Sequence, residues 1–209
     1  MSGKRGKYLG FVAHEIKNPL ATALWSCDLL KRMEGADRSG ERAEKMIDVS
    51  LRALRRMRRL IDDYFTIERL LENGYELRRE RVAVKDLLEA TLQTLQEKDG
   101  IATSGWVNEV QGEVTGDGEM LRKALRAAVE YVARASAEPR LSFAMRDGAL
   151  LIRAETPPAQ LIPPEPEDRA SGDPTGAVLG FALAARILEA HGGRIEERDG
   201  ALALLLPAP

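Results

Sequence analysis

Cysteine is almost absent: the chain of 209 residues has one, Cys27. A single thiol forms no intramolecular disulfide, so the fold must rest on packing, and the chain fits a reducing cytosol. Long apolar runs are missing too. None approaches the roughly 18 residues that span a bilayer, so no membrane segment is expected, and a cytoplasmic location is. The basic start, MSGKRGK, leads into a patterned helix and not into a signal-peptide core. Charge of one sign is not in excess. Lys and Arg number 31 against 33 Asp and Glu, a formal net charge of −2, which argues against general binding of nucleic acid or of membrane surfaces. No metal site is expected. What is present is 44% hydrophobic and 31% charged residues, the make-up of a packed fold of one large or two small domains.

Two long helical patterns come first. Val12, Ile16, Leu20, Ala23, Cys27 and Leu30 follow helical spacing. The stretch EGADRSGE breaks the pattern. In the second helix Ile47, Leu54 and Ile61 recur seven apart, with Ser50, Met57, Tyr64 and Leu71 as a companion series. That is a heptad seam. Two antiparallel helices have too little core alone, so two chains are expected to pair into a four-helix bundle. Ile47, Leu54, Met57, Ile61 and Tyr64 should then lie near a two-fold axis. Asn73-Gly74 closes this region, taken as residues 1–74.

Residues 75–209 read differently. RVAVKDLLEATLQTLQ predicts a short strand, then a helix. IATSGWVNEVQGEVTG predicts strands with turns. Helices are expected over Met120–Ala135 and Leu179–Ala190. Hairpins are expected around Asp147-Gly148 and Asp199-Gly200. A proline-rich stretch runs from Pro157 to Pro174. Interleaved strands and helices point to an α+β layer.

One stretch carries chemistry: FVAHEIKNPL, residues 11–20. At about 100° per residue, His14 falls opposite the apolar stripe and faces water, with Asn18 on the same side and Glu15 beside it. An exposed histidine can act as a nucleophile or phosphoryl acceptor. A neighbouring carboxylate can take its proton or fix its tautomer. Pro19 weakens the helix near His14. By residue chemistry alone, an ordinary surface histidine remains open.

The stretch resembles the phosphoacceptor box of sensor histidine kinases, His-Glu-x-x-Asn/Thr-Pro-Leu, at every position. GDGEMLRKAL resembles the entry to the asparagine-bearing helix of their ATP-binding domain. GRIEERDGALALLLP, after ILEAHGG, resembles that domain's end. The resemblance implies a dimerisation and histidine-phosphotransfer hairpin followed by a catalytic and ATP-binding α/β sandwich. It implies that His14 is phosphorylated, that Glu15 is its acid/base partner, and that Asn18 orients water for dephosphorylating a response regulator.

The motifs that hold ATP in this family are altered. Their polar helix positions fall at Ala127 and Tyr131, and neither supplies the amide oxygen that would hold magnesium. The Asp-x-Gly-x-Gly box reads ETPPA, with Glu155 for the aspartate and Pro157 and Ala159 for the glycines. The glycine-rich loop reads GAVLG, which keeps Gly176 and Gly180 but places Val178 in the middle. Three altered motifs beside an intact phosphoacceptor box point to a scaffold resembling dimeric histidine phosphotransferases, which needs no cofactor and exchanges phosphate with response regulators. A divergent ATP-dependent kinase using ATP and magnesium is the first alternative. A pseudokinase that only binds partners is the second.

Further residues suggest docking. Arg52, Arg55, Arg56, Arg58 and Arg59 crowd the second helix. Most solvate its outer face; Arg55 and Arg59 are the candidates for meeting an acidic regulator pocket. Trp25, about three turns below His14 on its polar side, is a candidate interface anchor. Trp106 and Cys27 read as packing. His191 precedes Gly192-Gly193 in a capping context.

Overall fold

A computed structural model describes residues 8–72, 74–166 and 176–206. Asn73 and part of the proline-rich stretch, residues 167–175 including Pro174, lie outside them. The chain divides into two units, Met1–Glu68 with Pro166–Gly176, and Arg69–Glu165 with Ala177–Pro209. No helix among the described residues is long and apolar enough to cross a membrane.

The first unit is built on a helical hairpin. Helix α1 is Leu9–Arg32 and α2 is Glu41–Leu71. A 3-10 turn, Gly35–Ser39, joins them, with Gly35 at φ +55° where a side chain would be strained. The line between the helices is lined by small side chains. Ala23 and Ser26 of α1 and Ser50 and Ala53 of α2 are buried. Small residues let the backbones approach, and Ser50 Oγ donates to the Ala23 carbonyl at 3.5 Å. Cys27 is exposed rather than packed, its sulfur 3.6 Å from Ser50 Oγ.

Helix α2 carries two seams. Ser50, Ala53, Leu60 and Ile67 are buried, and Met57 and Tyr64 continue that face half-buried. Ile47, Leu51, Leu54, Ile61 and Phe65 are exposed. The two sets lie about 100° apart around the helix. The expected two-fold cluster is therefore divided within a single chain. Ile47, Leu54 and Ile61 stand on the open face, whereas Met57 and Tyr64 share the face of Ser50, which meets α1.

The second unit is an α+β layer, with the helical N-terminal region ahead of it. Strand β1 (Glu80–Ala83) pairs antiparallel with β3 (Glu113–Gly116). Helix α3 is Val84–Asp99. Strands β2 (Val107–Glu109), β4 (Leu141–Arg146), β5 (Ala149–Ala154), β6 (Arg194–Arg198) and β7 (Ala201–Leu205) form one sheet in the order β2-β4-β5-β7-β6. Only β2 with β4 is parallel among its pairs. Helices α4 (Gly118–Ala135) and α5 (Ala177–Ala190) pack on each other, and α4 also packs on α3 and β5. Leu88, Met120, Leu121, Phe143, Ile152 and Leu183 are among the fully buried side chains.

The turn chemistry is local. Asp147 and Gly148 have φ of 49° and 73°, Asp199 and Gly200 of 50° and 68°. Two successive left-handed residues give the turn that matches strand twist, and Asp-Gly tolerates both. Asp117 caps α4, its Oδ1 accepting from the Met120 N–H at 3.1 Å. His191 locks the same corner. Its Nε2 accepts from the Asp117 N–H at 3.0 Å and its Nδ1 meets the Ile187 carbonyl at 2.7 Å. Both ring nitrogens are thus used in a buried structural role, as the capping context of its sequence suggests. Trp106 is half-buried, with Nε1 donating to the Pro139 carbonyl and its ring 6.1 Å from Phe143.

Candidate functional site

Helix α1 has three faces. Val12, Glu15, Pro19, Ala23 and Ser26 are buried. Leu9, Leu20 and Leu24 are exposed on a second stripe. His14, Asn18 and Trp25 form the third, spaced so that all lie within about 40° on the wheel. His14 and Asn18 are exposed, and Trp25 keeps 59% of its surface. Among the described residues His14 makes no hydrogen bond or ion pair. Its ring is open to solvent.

Glu15 is not where the sequence reading puts it. Instead of sharing the open side with His14, it is 1% exposed and points into the hairpin. Its Oε2 lies 3.5 Å from Arg56 Nη2 on α2. A carboxylate at this depth requires a cation nearby. The sequence signal was present, since Glu15 is three residues after Val12 and four before Pro19, on the buried stripe. Arg56, read as part of a solvated basic run, is that cation.

The Glu15–Arg56 contact also sets the level of the two helices. Arg55 and Arg59 lie on α2 within a turn of the residue opposite Glu15, hence near the height of His14. Arg55 is exposed and Arg59 half-buried. The Tyr64 hydroxyl, further along α2, is pushed above the usual phenol range by burial, with the Glu68 carboxylate adding to it. That phenol stays protonated across the neutral range.

The positions matched to a nucleotide pocket are occupied differently. Tyr131 is 6% exposed. Its hydroxyl donates to the Gln160 carbonyl at 2.9 Å, and its ring meets Phe181 edge-on with centroids 5.0 Å apart. Val178 is buried near the start of α5. A Cβ at Gly180 would lie 3.5 Å from the Ala127 methyl, so α4 and α5 approach closely there. Glu155 is exposed and faces Arg140 at 3.9 Å, and its N–H donates to the Arg140 carbonyl. Pro157 and Ala159 are exposed. Gly176 has φ +70°, and a Cβ there would strike Leu60 at 2.8 Å. Glycine at 176 therefore has a reason independent of any phosphate. Phe181 was not anticipated from the sequence; its signal is its place one turn into α5, beside the altered glycine loop.

Residues 4–73 match the His Kinase A (phospho-acceptor) domain. The chain is 27% identical over 197 residues to the sensor protein DivL of Caulobacter vibrioides, covering 89% of this chain and 25% of that protein. It is 24% identical over 225 aligned positions to the sensor protein SphS of Synechococcus elongatus, covering 95% of this chain and 52% of that one. The chain thus spans between a quarter and about half of these curated relatives. Among solved structures it is similar to the Acinetobacter baumannii histidine kinase AdeS, with a TM-score of 0.63, 17% identity, and coverage of 91% and 94% of the two chains. It is also similar to full-length ShkA, solved in complex with AMPPNP, with a TM-score of 0.55, 17% identity, and coverage of 96% of this chain and 46% of that one.

Proposed function

We propose that this chain carries the core of a sensor histidine kinase, a phospho-acceptor hairpin followed by a domain with the fold of that family's ATP-binding domains, and that it acts as a histidine phosphotransfer protein. Phosphate moves between His14 and the aspartate of a response regulator's receiver domain. ATP is not its source. The observation that carries this reading is Tyr131, at a position matched to the family's polar helix residues: it is buried, edge-on to Phe181, and its hydroxyl donates to the Gln160 carbonyl. The turned-out Glu155 and the proline at 157 support it, because neither offers an adenine-reading acid beside a flexible glycine. His14, by contrast, stands open at a complete phosphoacceptor box.

The working form is a homodimer. The exposed rows Leu9, Leu20 and Leu24 on α1 and Ile47, Leu51, Leu54, Ile61 and Phe65 on α2 are more apolar surface than a lone hairpin leaves in water. Two copies closing these rows give a four-helix bundle. Asn18, on the His14 stripe, positions water when regulator phosphate is hydrolysed. Trp25 supplies an apolar anchor and Arg55 and Arg59 a basic one for the acidic regulator.

Incubation with labelled ATP and magnesium should leave the protein unlabelled, and incubation with labelled phosphorylated regulators should label it. Label from ATP alone would establish a kinase instead. Light scattering at micromolar concentration should give a dimer; a monomer throughout removes the bundle.

A further inference from the structure

The side chain best placed to assist His14 is held away from it. Glu15 lies on the inner side of the hairpin against Arg56, at 3.5 Å, while the His14 ring is outside. Adjacent helical positions diverge by about 100°, so a change of side-chain and backbone torsions at this turn is needed to bring the carboxylate to the ring. The backbone here yields more readily than a regular helix. Pro19 has no N–H with which to give the Glu15 carbonyl the usual helical bond. Thr22 Oγ1 donates back to the Asn18 carbonyl at 3.0 Å, a pattern that bends helices. The guanidinium of Arg56 is the cation that faces the carboxylate inside the hairpin. Arg56 retains 27% of its side-chain surface against 1% for Glu15, so an acidic group arriving from outside reaches the arginine and not the glutamate. Arg52 and Arg59, one turn to either side on α2, make the approach attractive to acids.

We propose that Arg56 is a positioning residue: it withholds the Glu15 carboxylate from His14 until a carboxylate of the docked regulator draws the guanidinium away. This rests on the phosphotransfer reading given above. In the transfer, one ring nitrogen of neutral His14 attacks phosphorus. The N–P bond forms as the acyl O–P bond of the regulator breaks, and the electron pair leaves on the aspartate carboxylate. The ring is then a phosphorylated imidazolium. The released Glu15 carboxylate takes the proton from its other nitrogen, which leaves neutral phosphohistidine and a carboxylic acid. Without a regulator the base stays latched, and His14 loses phosphate to stray acceptors or gains it from stray donors only slowly.

The test removes the regulator. Phosphoramidate, a small phosphodonor, is mixed with the full chain, and phosphate on His14 is followed by mass spectrometry. Arg56→Gln keeps a hydrogen-bond donor but loses the cation. It should speed labelling about tenfold or more, part of the 10²–10⁴ that a positioned base contributes. Arg56→Lys keeps the charge on a single point donor with a looser hold, and should fall between wild type and Arg56→Gln. Adding Glu15→Gln to either variant should erase its gain. Melting curves confirm that each protein is folded, and the Lys variant keeps the comparison alive if the Gln variant is not. Rates unchanged or lowered in folded Arg56 variants overturn the proposal, as does a gain that survives Glu15→Gln. Because no regulator takes part, failure of regulator transfer would count against the phosphotransfer reading and leave this result to be judged separately.

Discussion

The His14→Ala protein, mixed with a phosphorylated response regulator, is expected to remain entirely unlabelled while staying folded and dimeric. The loss is complete rather than partial because no other side chain can take over. The only other histidine, His191, is buried and spends both ring nitrogens on the Asp117 N–H and the Ile187 carbonyl. The fold is spared because the His14 side chain is exposed and makes no hydrogen bond or ion pair among the described residues; surface substitutions of this kind usually stay within about 0.5 kcal/mol. Loss of label together with an unchanged melting curve separates chemistry from folding. Label appearing undiminished on His14→Ala would sink the phosphotransfer scheme, and a partner-binding scaffold would take its place. Asn18→Ala gives the companion result. It should slow water-driven loss of regulator phosphate and spare transfer to His14, since only hydrolysis needs a placed water.

The features legible in the sequence were those written in short range. Hairpins at Asp147-Gly148 and Asp199-Gly200 follow from two left-handed residues in a row, which few other dipeptides accept. The helices α4 and α5 follow from their apolar periodicity, and each begins two residues earlier than expected because cap positions add to the periodic core. His14 and Asn18 came out exposed because the helical period alone fixes which side of α1 they occupy. Glu15 did not, although the same period applies. Burying a carboxylate is acceptable only if a cation waits on another helix, and that Arg56 is the residue facing it depends on the register of the hairpin, which no local pattern encodes. The split of the heptad is similar. Seven-residue spacing marks Ile47, Leu54, Ile61 and Ser50, Met57, Tyr64 alike, but which row meets α1 is decided by the small residues that let the backbones close. Phe181 was missed for the same reason. Its meaning comes from Tyr131, fifty residues away in sequence and edge-on in space.

Tyr131→Ala is expected to destabilise the second unit by about 3–5 kcal/mol, the usual cost of removing a large buried aromatic, without making the protein bind ATP. The ring is nearly fully buried against Phe181, and its hydroxyl satisfies the Gln160 carbonyl. Truncation loses the packing, the edge-on contact and a hydrogen bond together. Tyr131→Phe keeps the ring and should cost only about 1 kcal/mol, the net worth of one hydrogen bond. Urea denaturation followed by Trp106 emission, in a Trp25→Phe background, reads this unit, because the Trp106 ring lies tilted against Phe143 within it. Calorimetric titration of the same proteins with ATP and magnesium should show no saturable heat for wild type or for either variant. The reason lies in what opening the space leaves behind. Ala127 still offers no amide oxygen for magnesium, Pro157 still has neither an N–H nor conformational freedom, and Glu155 still turns to Arg140. In a ligand site, residues are held ready at some cost to stability, and removing an obstruction uncovers them. Tyr131, by contrast, is itself part of the core of the second unit. A dissociation constant in the low micromolar range for wild type would show the opposite, and would return the chain to the ATP-dependent kinases.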